Sequence, residues 1–492
     1  SSFELVMKIF KQLINRPWKI FTLIIITILT FLALYFSVTF LPIITDAKTY
    51  VSGIQHTKDA VTINESSKEL AKDLDTLFLK LNKPVIKQLI AIANLDFSII
   101  APELKSLIIS GPQLAGIGKP QKDLLAFQNS AEARGTGGIL GAYAIVIFDK
   151  GKLRVERVGT NIALKSLNEI PISVSEEYTQ LYRSDPAIWQ NSNLSPHFPQ
   201  GARIWMALWE RQYNEKLDGV MAVDPTAISY LLKATGPIFL QSKEKIDSKN
   251  VVHKVLSDAY QRFETDNLAR KDYLIDIINA TFAKLADGDY SKIEMARAFK
   301  NAIQDNRLLV YTNNSDSQKV LAKSTLAGDL LTNASNQYRV VIQNIDASKL
   351  DYYLDREITV ESLECAEVRR TQVSVKVTNV LKTGVGLPAY VLTRADKTKP
   401  LAIVTGQHRF LVFIYGPKGS SLLHAKRSST FKSAGGIATE LGRPLLVSDV
   451  DLSPLSSEKI TATFVGGKGP ISFHDQPLVR KSTVSITDRC KR

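Results

Sequence analysis

The sequence predicts a mixed α/β extracytoplasmic head, held by an N-terminal transmembrane helix and a helical stalk and followed by a C-terminal all-β sandwich. Three observations carry that prediction. An uncharged apolar run fills residues 20–45, helical and strand patterns mix between 118 and 340, and helical periodicity stops near 341. With 492 residues, 45% of them apolar and 22% charged, the chain is long enough for several cores and has a globular composition, not that of a disordered or multi-span protein. Its two cysteines exclude a disulfide-dense scaffold and a four-cysteine zinc site.

The first segment, residues 1–19, carries Lys8, Lys11, Arg16 and Lys19, and the next charge is Asp46. At 1.5 Å per residue the run between them exceeds a hydrocarbon core of about 30 Å. The basic flank predicts a single span of the plasma membrane at 20–45, with the N-terminus cytoplasmic and the bulk outside. A cleaved signal peptide is the alternative, but its apolar region is shorter, about 7–15 residues. Cys365 and Cys490 flank a strand-rich region. In an oxidising compartment that pair would tie the terminal strand to the start of its domain; two separate buried thiols are the other possibility. The net charge of +14 then reads as attraction to anionic lipid, wall polymer or phosphorylated substrate. Nucleic acid is not expected as a partner, because only the charge speaks for it.

Residues 46–117 read as the stalk. Leu70, Leu74, Leu77, Phe78 and Leu81 form one apolar stripe, a second apolar segment runs from Val85 to Ile92, and Pro84 and Pro102 interrupt. Residues 118–340 read as the head. Leu124–Gln128 is a short apolar run, and Ile139–Phe148 and Leu153–Val158 flank Asp149-Lys150-Gly151 in a hairpin pattern. Helical spacing occupies 202–213, 251–285 and 292–303, and a strand follows at 307–311. From 341 to 492, the β-branched runs at 371–380, 389–394, 410–415, 445–452, 459–465 and 483–487 predict the sandwich.

Four stretches carry candidate chemistry. In Gln128–Gly138, the glycines and Thr136 let backbone approach a ligand, and Arg134 offers a fork for two phosphate oxygens. There Glu132 and Asn129 would face a hydrated Mg²⁺, with Gly137 and Gly138 lining the same loop. A polar turn satisfying its own backbone is the alternative. Trp205 and Trp209, four residues apart, share a helix face that either stacks sugar or a polyprenyl tail, or is core. In Asp218–Ile238, Asp224 before Pro225 is a helix N-cap. Finally, Arg262, Arg270, Lys271 and Asp272 place cations and a carboxylate near a helix start, which is either an anion site or a solvated face. No GxSxG, HExxH or SxxK arrangement supports a serine hydrolase or zinc protease.

Gln128–Tyr143 (QNSAEARGTGGILGAY), Asn193–Pro199 (NLSPHFP), Asp218–Ile238 and Arg270–Leu274 together resemble the bacterial membrane-anchored domain of unknown function 4012 family. That family more often reads Leu-Arg-Pro-Thr-Gly-Gly-Phe where this chain has Ala133–Ile139, and Asp where it has His197. The order of motifs is also similar to LytR–CpsA–Psr enzymes, single-pass proteins that move a glycopolymer from a polyprenyl pyrophosphate to the cell wall. That similarity implies that Arg134, Arg262 and Arg270 neutralise the pyrophosphate, and that Glu132 or Asp272 positions Mg²⁺. A non-catalytic envelope protein that binds wall polymer or scaffolds partners is the alternative expectation.

Overall fold

The computed structural model describes residues 60–81, 101–365, 368–382, 386–393, 404–427 and 436–490, with a few isolated positions between 45 and 52. The expected span at 20–45 and the second apolar stalk segment at 85–92 lie outside the described residues, Thr45 excepted. Among the described residues no helix is long and apolar enough to cross a membrane. The chain divides into two units, Ser1–Pro112 and Gln113–Arg492. In the first, α1 (Ala60–Leu81) buries Ile63, Leu70, Leu74 and Leu77, the stripe its spacing predicts. Helix α2 (Ala101–Leu114) follows and crosses the boundary between the units.

The second unit begins with a five-stranded sheet in the order β3-β2-β1-β4-β7. Its strands are β1 (Gln121–Arg134), β2 (Gly137–Asp149), β3 (Lys152–Thr160), β4 (Gly219–Val223) and β7 (Leu308–Thr312). The predicted hairpin is β2–β3, and Lys150 and Gly151 at its turn both take positive φ. Strand β4 pairs parallel to β1, and the other neighbours are antiparallel. One face of the sheet, through Leu124, Ala126, Leu140, Val220 and Ala222, packs on a layer containing α3 (Glu176–Tyr182) and α4 (Phe198–Tyr213). The other face carries α5 (Pro225–Thr235), α6 (residues 251–263) and α7 (Asn267–Ala286); the small ribbon of β5 (Ile238–Phe239) and β6 (Lys245–Ile246) and helix α8 (Lys292–Gln304) complete this part. Asp224 caps α5 by accepting from the Ala227 N–H at 2.9 Å, as the Asp-Pro pair predicts.

The single helix expected over 251–285 is two. Helix α6 runs from Val251–His253 through a π-turn at Lys254–Asp258 into Ala259–Phe263. Glu264 then takes φ +22°, which no helix continues, and Asp266 caps α7 through the Ala269 N–H. Helix α9 (Ser315–Leu321) leads from β7 toward the C-terminal sheets.

Those are two five-stranded sheets. One runs β13 (Gly436–Glu440), β14 (Arg443–Leu452), β11 (His408–Tyr415), β8 (Gln337–Asn344), β16 (Ser472–His474). The other runs β12 (Ser421–Arg427), β15 (Ser457–Val465), β10 (Arg369–Asn379), β9 (Leu354–Cys365), β17 (Thr483–Thr487). Tyr338, Val340 and Ile342 of β8 and Phe410, Val412 and Ile414 of β11 meet Ile358, Val360, Val373, Val375, Ile460 and Phe464 from the opposite sheet. The alternate residues Val341, Phe413, Tyr415 and Leu445 face the tryptophan layer of the head. Period-2 alternation therefore buries this sheet on both faces and joins head and sandwich in one packed body. The strand expected at 389–394 is instead the short helix α10 (Ala389–Leu392), opened by Pro388, whose carbonyl accepts from the Val391 N–H. Cys365 and Cys490 form the expected disulfide, Cα–Cα 5.3 Å, linking the end of β9 to the segment after β17.

Candidate functional site

Strand β1 does not run straight beside β2. Its register slips between Phe127 and Gln128 and again between Asn129 and Ala133, so residues 130–132 arch out of the ladder. Glycine makes the arch possible. A Cβ on Gly138 would lie 2.1 Å from the Asn129 carbonyl oxygen, and one on Gly135 2.2 Å from that of Leu194. The glycine run therefore serves close packing of backbone on backbone.

The arch is pinned by the NLSPHFP segment. Asn193 Nδ2 donates to Gln128 Oε1 at 3.1 Å, Thr136 Oγ1 at 2.8 Å and the Gly138 carbonyl at 2.9 Å, while Thr136 donates to Gln128. Two separate sequence motifs thus form one buried hydrogen-bonded knot. Thr136, Gly137 and Gly138, expected to touch ligand, are turned inward to this knot.

On the helical side of the sheet lies a cavity of about 270 Å³, walled by β1, β2, α5, α6 and α7. It is graded along its length. Phe127, Ile228, Leu274, Ile277 and Ile278 line an apolar end, with Phe282 edge-on to Phe127 at 6.5 Å. Asn129, Tyr260, Arg270, Lys271, Lys349 and Tyr390 line the polar part. Helix α7 spans the gradient: from Arg270 to Ile278 it rises about 12 Å, cation first and apolar residues after. Exposed Ile162 and Asn267 mark where the cavity meets solvent.

The cations at the polar end are unusual in their partners. Arg270 is 4% exposed, yet among the described residues no carboxylate lies within ion-pair distance of it. Instead it donates to Asn267 Oδ1, and its guanidinium sits 4.5 Å and 4.7 Å from the Tyr260 and Tyr390 ring centres. Lys271 donates to Asn161 Oδ1 at 2.7 Å and the Gly141 carbonyl at 3.2 Å, again without a carboxylate. Burial first, then the charges of Arg270 and Lys349, pull the Lys271 amine down to about 7. Lys349 is ion-paired to Glu132, whose other oxygen takes Arg134 at 2.9 Å. Burial pushes the Glu132 carboxyl up, but those two cations outweigh it and hold it below the usual range. Asn129 donates to the Tyr260 hydroxyl at 2.6 Å, fixing the ring that Arg270 lies on.

Of the predicted site residues, the cavity thus brings together Asn129, Arg270 and Lys271. The three arginines do not converge. Arg134 lies behind the cavity wall in its pair with Glu132, also donating to Asn191 Oδ1. Arg262 lies before the α6–α7 break, half-exposed and paired to Glu244 at 2.6 Å. Asp272 points to solvent, because two residues along a helix from Arg270 is the opposite face. Trp205 and Trp209 are fully buried with Trp189; their indole N–H groups donate to the Trp189 carbonyl and to Glu215, so they are core and present no face to sugar.

Glu132 and Asp272 therefore do not fit a Mg²⁺ site: one has both oxygens committed to cations, and the other is exposed elsewhere. Among the described residues no group of three His, Cys, Asp or Glu is placed to hold a metal. Lys349, Tyr390, Asn161 and Asn267 were not singled out by the sequence. The first two come from the C-terminal region, far along the chain and outside any motif; Asn161 and Asn267 sit beside expected elements as ordinary polar residues.

No curated protein matches the chain. Among solved structures it is similar to the transcriptional regulator yvhJ from Bacillus subtilis, at 11% identity over 43% of this chain and 79% of that one, with a TM-score of 0.23. It is also similar to the Lin1025 protein from Listeria innocua, at 13% identity over 41% and 75%, with a TM-score of 0.22. Residues 119–260, from β1 through the knot to Tyr260, match the family described as "Protein of unknown function (DUF4012)", and that match supports the family resemblance carried by the motifs.

Proposed function

We propose that this is a membrane-anchored cell-envelope protein whose head binds the phosphate end of a polyprenyl pyrophosphate carrier and passes the attached glycan to an envelope acceptor, in the manner of LytR–CpsA–Psr enzymes. One observation carries the reading: Arg270, buried, and Lys271, part-buried, cations without carboxylate partners among the described residues, stand at one end of a cavity whose other end is apolar. Burying unneutralised charge is costly, and an anion with a greasy tail is the ligand that relieves both ends at once. The apolar run at 20–45 and the Cys365–Cys490 bridge support placement at the outer face of the membrane.

In this reaction an acceptor hydroxyl oxygen bonds to the sugar-bearing phosphorus. The anhydride P–O bond breaks, polyprenyl phosphate leaves with the bonding electrons, and the hydroxyl proton passes to solvent. Arg270 and Lys271 orient the pyrophosphate and offset the charge that grows on its oxygens. No step runs through a metal.

A second reading, binding without transfer, draws on one fact: Glu132, the carboxylate paired to the cavity-lining Lys349, has both oxygens engaged by cations. The test is to incubate the full chain with a polyprenyl pyrophosphate-linked glycan and wall polymer and follow polyprenyl phosphate. Release that is lost in Arg270→Ala supports transfer. Binding without release selects the second reading, and absence of binding removes both.

A further inference from the structure

The cationic end of the cavity is not the head's alone. Lys349, between β8 and β9, and Tyr390, on α10, both line it, and both lie well beyond the family-matched segment 119–260. We infer that the β-sandwich makes the cavity selective for a diphosphate joined to an isoprenoid chain, through Lys349 and Tyr390. This rests on the function proposed above and names the residues that would choose its ligand.

The geometry is that of an alternating stack. The Tyr390 ring lies on Tyr260 with centres 5.8 Å apart and planes 19° from parallel. Arg270 sits against both rings, and Lys349 Nζ lies 5.0 Å from the Tyr390 centre and 5.9 Å from that of Tyr260. Ring faces attract a cation without cancelling its charge, so Arg270, which has no carboxylate partner among the described residues, remains available to an anion, while Lys349 is already paired to Glu132 and adds its field beside it. Lys349 is further fixed by Glu132, and Glu132 by Arg134, which donates to Asn191 and to the Asn344 carbonyl. The frame is therefore assembled before ligand arrives.

Selectivity follows from what Tyr390 covers. Tyr390 itself is 38% exposed, yet Arg270 is 4% and Lys349 2% exposed. An anion reaches these cations by leaving water for the cavity, and that desolvation is costly for free pyrophosphate. A ligand that also buries an isoprenoid tail against Phe127, Ile277 and Ile278 offsets the cost. The same tail without phosphate leaves Arg270 without a counter-charge.

The test is calorimetric titration of the full chain with farnesyl pyrophosphate, inorganic pyrophosphate and farnesol, with thermal melts of each variant in parallel. The wild type should bind farnesyl pyrophosphate about tenfold or more tighter than either comparison ligand. Tyr390→Ala, which opens Arg270 to water, should shrink the preference over inorganic pyrophosphate by about tenfold. Lys349→Met should weaken both phosphorylated ligands by about tenfold and leave farnesol unchanged, while Lys349→Arg restores most of the affinity. If Lys349→Met fails to fold, Tyr390→Ala decides. A wild type that binds none of the three overturns the proposed function and this inference with it. A wild type that binds farnesyl pyrophosphate, with its preference unmoved in Tyr390→Ala, overturns this inference alone.

Discussion

Replacing Lys271 with methionine should stabilise the protein below neutral pH while abolishing anion binding. The side chain is hemmed in by charge: Arg270 beside it on α7, Lys349 from the sandwich, and only Glu132, already paired, as a counter-charge. Asn161 and the Gly141 carbonyl accept from it, and Asp272 next along the helix is exposed. Its amine falls from 10.5 to about 7 on folding, burial being the largest cause. At about 1.4 kcal/mol per unit that is a ceiling near 5 kcal/mol, and relaxation and water at the cavity reduce it to about 2–3 kcal/mol. Between pH 7 and 10.5 the unfolded lysine keeps its proton and the folded one loses it, so native stability rises with pH across that window. The penalty is full below pH 7 and gone above 10.5. Thermal melts of the full chain in detergent should therefore show Lys271→Met melting a few degrees above wild type at pH 6, the gap closing by pH 10. A variant that melts at or below wild type at pH 6, with a difference that does not change with pH, refutes the reasoning.

The remaining expectations are simpler. Arg270→Ala should lower farnesyl pyrophosphate affinity by about tenfold or more, whereas Arg262→Ala, which breaks only a half-exposed pair with Glu244, should leave it within about twofold; titration distinguishes them. Gly138→Ala puts a methyl group on the Asn129 carbonyl and should cost several kcal/mol, read as loss of soluble folded protein or a sharply lowered melting point. Opening the Cys365–Cys490 bridge by Cys365→Ser should cost about 2–5 kcal/mol in denaturant titration, without altering ligand preference.

Much of the scaffold is readable from the chain because it is local. The β2–β3 turn, the Asp224 cap and the strands at 410–415 and 445–452 follow from adjacent residues, and the cysteine pair from its placement around the strand-rich tail. The α6–α7 break escaped because Phe263 and Leu274, eleven residues apart, keep helical phase across the polar Glu264–Asn267 segment, while the backbone turns at Glu264. That break decides the site, since it sends Arg262 and Arg270 to different places. The tryptophans read in the sequence as either core or a ligand face, and their complete burial makes them core. Lys349 was illegible for another reason. Its pair with Glu132 spans 217 residues of sequence, and nothing around it repeats or patterns. The glycine run reads in the sequence as a place where backbone approaches a ligand, but what approaches those backbones is the protein's own chain.

The central claim is that an isoprenoid diphosphate enters between β1 and α7 with its phosphates at Arg270 and Lys271. A photoreactive farnesyl pyrophosphate analogue, carrying the label at the far end of its tail and crosslinked to the full chain, tests it directly. Labelled peptides should cover Phe127 and Leu274–Ile278, and excess farnesyl pyrophosphate should protect them. Labelling spread over the surface, or concentrated elsewhere and indifferent to competitor, would contradict it.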